Sequence, residues 1–235
     1  MRTRPRAGAP NQNTDQDRAF RNGHVQTIVC ELLRHKDPRL VKLAHQAVIT
    51  PRPTSRDELH DQLSTMRGYR GQDVTDAQLD SAVAICAEGS RIYNHADCER
   101  LKGGLLERYV YEMVSLRAPT AVRHEHSVAL THAKHTGRDW TNPKEVVVDS
   151  DPFEVYECKW SGHLDQDDID ELGDVYATAQ AEGTDARPCI AVMTSMKRVQ
   201  AQLERNGVVL DEWLYIADDN DLQLLEVRPP SLRIR

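Results

Sequence analysis

Glu157 and Lys159 stand two residues apart in Phe153-Glu-Val-Tyr-Glu-Cys-Lys-Trp160. In an extended strand, side chains two apart share a face, so an acid and a cation project together while Cys158 points away. That pairing suits phosphodiester hydrolysis. The carboxylate can hold a divalent metal, the Cys158 carbonyl between can add a ligand, and the ammonium can orient water or offset developing charge. Glu-x-Lys alone usually marks a solvated strand face or an ion pair, so the chemistry depends on a second carboxylate close by.

The preceding run, Glu145-Val-Val-Val-Asp149, supplies candidates. Ser150-Asp-Pro152 has turn chemistry, so the two runs read as a hairpin. If those three residues form the loop, Asp149 faces Phe153, and counting back places Glu145 opposite Glu157. Directly opposed residues lie about 5 Å apart between Cβ atoms, near enough to share an ion. Asp149 and Asp151 compete for the role, but Asp149 is four residues along, roughly 13 Å away at about 3.3 Å per residue. Glu145 is preferred, and a one-residue slip would move it to the opposite face.

The elements that must position this hairpin follow from periodicity. Residues 1 to 14, rich in Arg, Pro, Asn and Gln, read as a mobile basic arm. From Asp15 to about Ala47 the apolar spacing is helical, divided at Pro38. Ser55-Arg-Asp-Glu58 opens a helix through Met66, and Thr75-Asp-Ala-Gln78 opens another that stops at Gly89. With Ser90-Arg-Ile-Tyr-Asn94 as a small strand, residues 52 to 98 would be winged-helix-like; an ordinary helical subdomain is the plainer alternative. Beyond residue 100 come a helix from Leu101 to about Leu116, a strand from 121 to 130, the hairpin, a helix from about 167 to 181, the strand 189 to 193, a helix from about 196 to 206 and a strand from 213 to 217. This order implies an α+β fold, with a mixed sheet flanked by helices at residues 100–235 and a helical domain at 15–99.

Composition bounds the function classes. The 235 residues are 39% hydrophobic, enough for a core, and no run approaches the roughly 20 apolar residues of a membrane span. No apolar signal-type segment follows the basic start, so a soluble intracellular protein, cytoplasmic and without a membrane partner, is expected. Five scattered cysteines form no Cys-x-x-Cys pair and read as reduced thiols. A net charge of −7 argues against non-specific coating of nucleic acid but allows one basic groove. His124-x-His126, with His132 and His135, could bind a transition metal, yet lacks a third ligand at defined spacing. The acids from Asp165 to Glu171 lack the glycine and terminal glutamate of a calcium loop and suit a helix N-terminus.

In these motifs the chain resembles the PD-(D/E)xK nuclease superfamily, restriction-endonuclease-like domains of the Mrr type. Lys102-Gly-Gly-Leu-Leu-Glu107 is similar to the family's opening helix with its glycine and glutamate. Glu145 followed by Glu157-Cys-Lys159 is similar to its acid and (D/E)xK, and the later alternation matches its order of elements, over roughly residues 100 to 220. The resemblance implies a Mg²⁺-dependent DNA endonuclease, with Mn²⁺ as substitute. Glu145, Glu157 and the Cys158 carbonyl would be metal ligands, Lys159 would position or activate the attacking water, and Glu107 would contact the metal through water or support the site. Gln180 falls on the helix where some relatives place a polar active-site residue. The family most often has Asp in the first strand, where this chain has Glu145 with Val147 two positions later. Either Asp149 is a displaced acid or the domain is inactive and serves DNA binding or assembly. A third reading makes the N-terminal helices the interface of a homodimer.

Overall fold

The computed structural model describes residues 18–50, 74–131, 133–134, 137–161 and 163–229, and the backbone of residues 7–10. The chain divides into two compact units, Thr14–Tyr109 and Met1–Asn13 with Val110–Arg235.

The first unit is helical. Asn22 caps α1 (Gly23–His35) by accepting from the amides of His24 and Val25, and Val25, Ile28, Val29 and Leu32 form its buried stripe. Asp37 caps α2 (Pro38–Ile49), where Pro38 occupies the first turn, a place that needs no amide proton. α3 (Asp76–Tyr93) opens on a reciprocal capping box between Thr75 and Gln78. It does not stop at Gly89, and the strand expected at residues 90 to 94 is helix through Tyr93. Gly89 has another use: a Cβ there would stand 2.7 Å from the Ala47 Cβ and 3.1 Å from the Ala47 carbonyl carbon, so glycine permits the close approach of α3 to α2. The helix expected over 55 to 66 lies outside the described residues, and no wing strand occurs among residues 74 to 98. α4 (Cys98–Arg117) begins in this unit and ends in the next.

The second unit is a six-stranded mixed sheet with helices, so the chain is α+β. Its strands are β1 (Ala7–Pro10), β2 (Val122–Val128), β3 (Lys144–Val148), β4 (Phe153–Lys159), β5 (Ala186–Val192) and β6 (Tyr215–Ala217), in spatial order β1-β2-β3-β4-β5-β6. The first four pair antiparallel; β5 joins β4 in parallel through α5 (Gln166–Glu182), and β6 joins β5 in parallel through α6 (Met196–Asn206). Of the arm expected over residues 1 to 14, residues 7–10 have the backbone of a strand, β1, and the rest lies outside the described residues. Ala-Gly-Ala-Pro carries no strand pattern, and it is recruited by the open backbone edge of β2. One face of the sheet packs Val147, Phe153, Val155, Ile190 and Val192 against Leu172 and Val175 of α5 and Val199 and Leu203 of α6. None of the five cysteines is in a disulfide. Among the described residues, no helix is long and apolar enough to cross a membrane.

Candidate functional site

The hairpin has the counted register. Val148 pairs with Glu154, Val147 with Val155 and Val146 with Tyr156, and one further step outward sets Glu145 opposite Glu157. Asp149 and Asp151 stand exposed at the far end of the hairpin. Val147 is fully buried in the core opposite Val155, so no acid occupies that position. Where the β3–β4 ladder ends, a side chain takes over: the Cys158 amide donates to Glu145 Oε2 at 3.3 Å.

Glu157 is 6% exposed and sits between two ammonium groups. Lys144 Nζ is 2.7 Å from its Oε2, and Lys159 Nζ is 3.2 Å from its Oε1. Lys144, 2% exposed, reaches in turn to Glu171 Oε2 at 2.8 Å, and Lys159 reaches to Asp168 Oδ1 at 2.9 Å. Glu171 also accepts from Arg138 Nη1 at 2.9 Å and Asn142 Nδ2 at 2.6 Å. The result is an alternating row, Arg138, Glu171, Lys144, Glu157, Lys159, Asp168, in which each buried charge has an opposite neighbour.

The row sets the protonation states. Burial alone would raise the Glu157 carboxyl, but Lys144 and then Lys159 outweigh it and hold it below its ordinary value. Burial would likewise strip the proton from Lys159, yet Glu157 and Asp168 hold it well above the ordinary lysine value, with Glu145 adding to the effect. Lys144 is raised in the same way, against its burial, by Glu157 and Glu171. Asp168 is raised, by burial first, with Glu157 adding to it and Lys159 opposing. At neutral pH Lys159 is therefore a charged hydrogen-bond donor and not a base.

Glu145, Glu157 and Lys159 are thus brought together with Cys158, whose side chain turns to the opposite face. Glu107 is buried on α4 within the helical unit. Gln180 is exposed in the last turn of α5, twelve residues beyond Asp168, about 18 Å away at about 1.5 Å per residue, so the helix presents its N-terminal end to the site instead. His126 Nδ1 lies 2.7 Å from the His124 carbonyl oxygen, and the His124 ring meets Tyr111 edge-on; His132 and His135 lie outside the described residues.

Sequence reasoning missed Lys144, Asp168 and Glu171. Strict alternation sends Lys144 to the face opposite Glu145, but it is the first residue of β3, where the ladder to β4 has ended, and its long side chain reaches Glu157. Asp168 and Glu171 stand three apart on one face of a helix, but nothing in the sequence sets that face beside β4. Asp168 has two uses, because Asp165 and Asp168 form the capping box that starts α5.

Two carboxylates, Glu145 and Glu157, belong to facing positions at the end of the hairpin. Among the described residues, no group of three or more His, Cys, Asp or Glu side chains is arranged to hold an ion. Two hard oxygen donors fit magnesium, which keeps several waters and commonly takes one or two protein carboxylates. They do not fit zinc or calcium, which need fuller protein shells.

No protein-family profile matches the chain, and no curated protein matches it. Among solved structures, protein VC1899 from Vibrio cholerae is similar at 16% identity with a TM-score of 0.41, over 94% of this chain and 57% of that protein. At that TM-score the two are too far apart for a role to be transferred.

Proposed function

We propose that residues 110–235 form a magnesium-dependent endonuclease domain of the PD-(D/E)xK kind, acting on DNA. The observation that carries the reading is the meeting of Glu145, Glu157 and Lys159 at one end of the β3–β4 hairpin, with Lys159 held charged. Glu145 and Glu157 would hold Mg²⁺, which when bound supplies charge against a phosphate oxygen. The ammonium of Lys159 orients water toward the phosphorus or offsets the charge that develops there. Lys144, anchored by Glu171, fixes the Glu157 carboxylate, so the acid needs little rearrangement to work.

The test is calorimetric titration of Mn²⁺ into wild type and Glu157→Ala, paired with cleavage of supercoiled plasmid by both. The expected outcome is loss of metal uptake and nicking together in a variant that keeps its circular dichroism. Cleavage by Glu157→Ala at the wild-type rate would sink the mechanism.

A specific observation favours a second reading. Lys144 Nζ already sits on Glu157 Oε2, and Val147 fills the neighbouring strand position with an apolar side chain. In that reading the ammonium takes the place of the metal, and the domain binds DNA or assembles a complex without cutting. It predicts salt-sensitive DNA binding by folded wild type that takes up no Mn²⁺.

A further inference from the structure

Beyond the carboxylates, the chain leaving β4 runs directly into a cationic cleft of about 340 Å³, lined by Ser161, His163, Arg198, Gln202, Arg205 and Asn206. We propose that this cleft is a track for the sugar–phosphate backbone of a nucleic-acid strand, holding the phosphates next to the one presented to Lys159. The assignment rests on the nucleic-acid reading above and extends it to a binding surface.

The cleft is built by helical spacing. Val199 and Leu203 anchor α6 in the core, and Arg198, Gln202 and Arg205 follow at positions i, i+4 and i+7, which puts them along one face. Gln202 Nε2 lies 2.8 Å from His163 Nδ1, a hydrogen bond between α6 and the residues after β4. Every lining residue carries a polar side chain and none is acidic. Among the described residues, neither Arg198 nor Arg205 has a carboxylate within ion-pair distance; the Nε of Arg205 donates to the Ala201 carbonyl at 3.3 Å. In a chain of net charge −7, two uncompensated arginines in one cleft are a local reversal of sign.

Guanidinium groups match phosphate oxygens two bonds at a time, and the Ser161 hydroxyl with the Gln202 and Asn206 amides adds neutral donors of the sort that contact DNA backbones. Ser161 is two residues past Lys159, so their Cα atoms lie within about 7 Å. That is about two steps of a strand rising 3.4 Å per nucleotide. A backbone seated in the cleft would thus bring a phosphate one or two nucleotides along the strand to Lys159.

The experiment is fluorescence anisotropy of a short fluorescein-labelled DNA duplex with full-length protein in EDTA, across a KCl series, for wild type, Arg198→Ala/Arg205→Ala and Lys197→Ala. Lys197 shares the helix but does not line the cleft. The expected result is an affinity about tenfold weaker in the double variant, with the log–log salt slope shallower by about two, and near-wild-type binding by Lys197→Ala. An unchanged double variant, or an equal loss from Lys197→Ala, overturns the cleft. Displacement of the duplex by sodium phosphate far beyond KCl of matched ionic strength would make the cleft a free-phosphate site and overturn the track. Plasmid nicking by wild type is read in parallel. Nicking with an unaffected double variant removes the cleft and keeps the nuclease. Weakened binding in the double variant without nicking by wild type does the reverse.

Discussion

Glu157 keeps its charge in a place with almost no water because two ammonium groups stand against it. Such a group makes stability depend on pH. Its carboxyl is held below the ordinary value of 4.5, so its contribution is complete above that value and is lost as pH falls through the depressed one. Glu157→Gln should cost about 3 kcal/mol near neutral pH, because it leaves Lys144 and Lys159 short of a counter-charge. The gap to wild type should narrow steadily below pH 4.5. Urea denaturation at several pH values measures this, and a gap that stays constant into acid would mean that Glu157 is not the titrating group. The centre of the row was legible in the sequence, since Glu145, Glu157 and Lys159 follow from alternation and one hairpin count. Its flanks were not. Lys144 breaks alternation at a strand end, and the acids of α5 look like ordinary helix-start residues until the fold sets them beside a buried lysine.

Elements meet through small details that a periodicity reading passes over. Gly89 has the look of a helix stop, yet α3 runs on, because capping by glycine needs a left-handed turn and this residue instead lies inside the helix against Ala47. Gly89→Ala should therefore destabilise the helical unit by about 1–3 kcal/mol, despite alanine's better helix propensity, and adding Ala47→Gly should recover part of the loss. Thermal unfolding of the two variants decides this, and a stabilised single variant would show that the helices separate freely.

The turn after β6 offers the opposite kind of test. Burial, and then the neighbouring Asp218, push Asp221 up to about 6. A raised acid favours the folded state at low pH and works against it once ionised. Asp221→Asn should therefore raise Tm above pH 6 and give no gain below the ordinary 3.8. An equal Tm gain at both ends would point to a new hydrogen bond instead. The long elements from α4 to α6 were legible because their apolar spacing is regular. β1 was not, because Ala-Gly-Ala-Pro has no alternation of apolar and polar residues to announce a strand, yet its backbone pairs with β2.

At the scale of the whole molecule, a net charge of −7 describes the composition but not the surface, since the acids of the buried row are matched one for one while Arg198 and Arg205 are left over. The strands of the sheet lie side by side in chain order, so each of β2 to β6 forms next to a neighbour already made. β1 alone must wait, because its partner β2 ends about 120 residues later, after the entire helical unit. At roughly 5–20 residues per second of synthesis, the first strand spends on the order of ten seconds without a place to go. It is also the strand whose closure spans the longest loop, so it should open first in the finished protein. Native-state hydrogen exchange should find the amides of residues 7–9 unprotected well before those of β4, and equal protection would mean that this late arrival is as firmly seated as the strand that carries the chemistry.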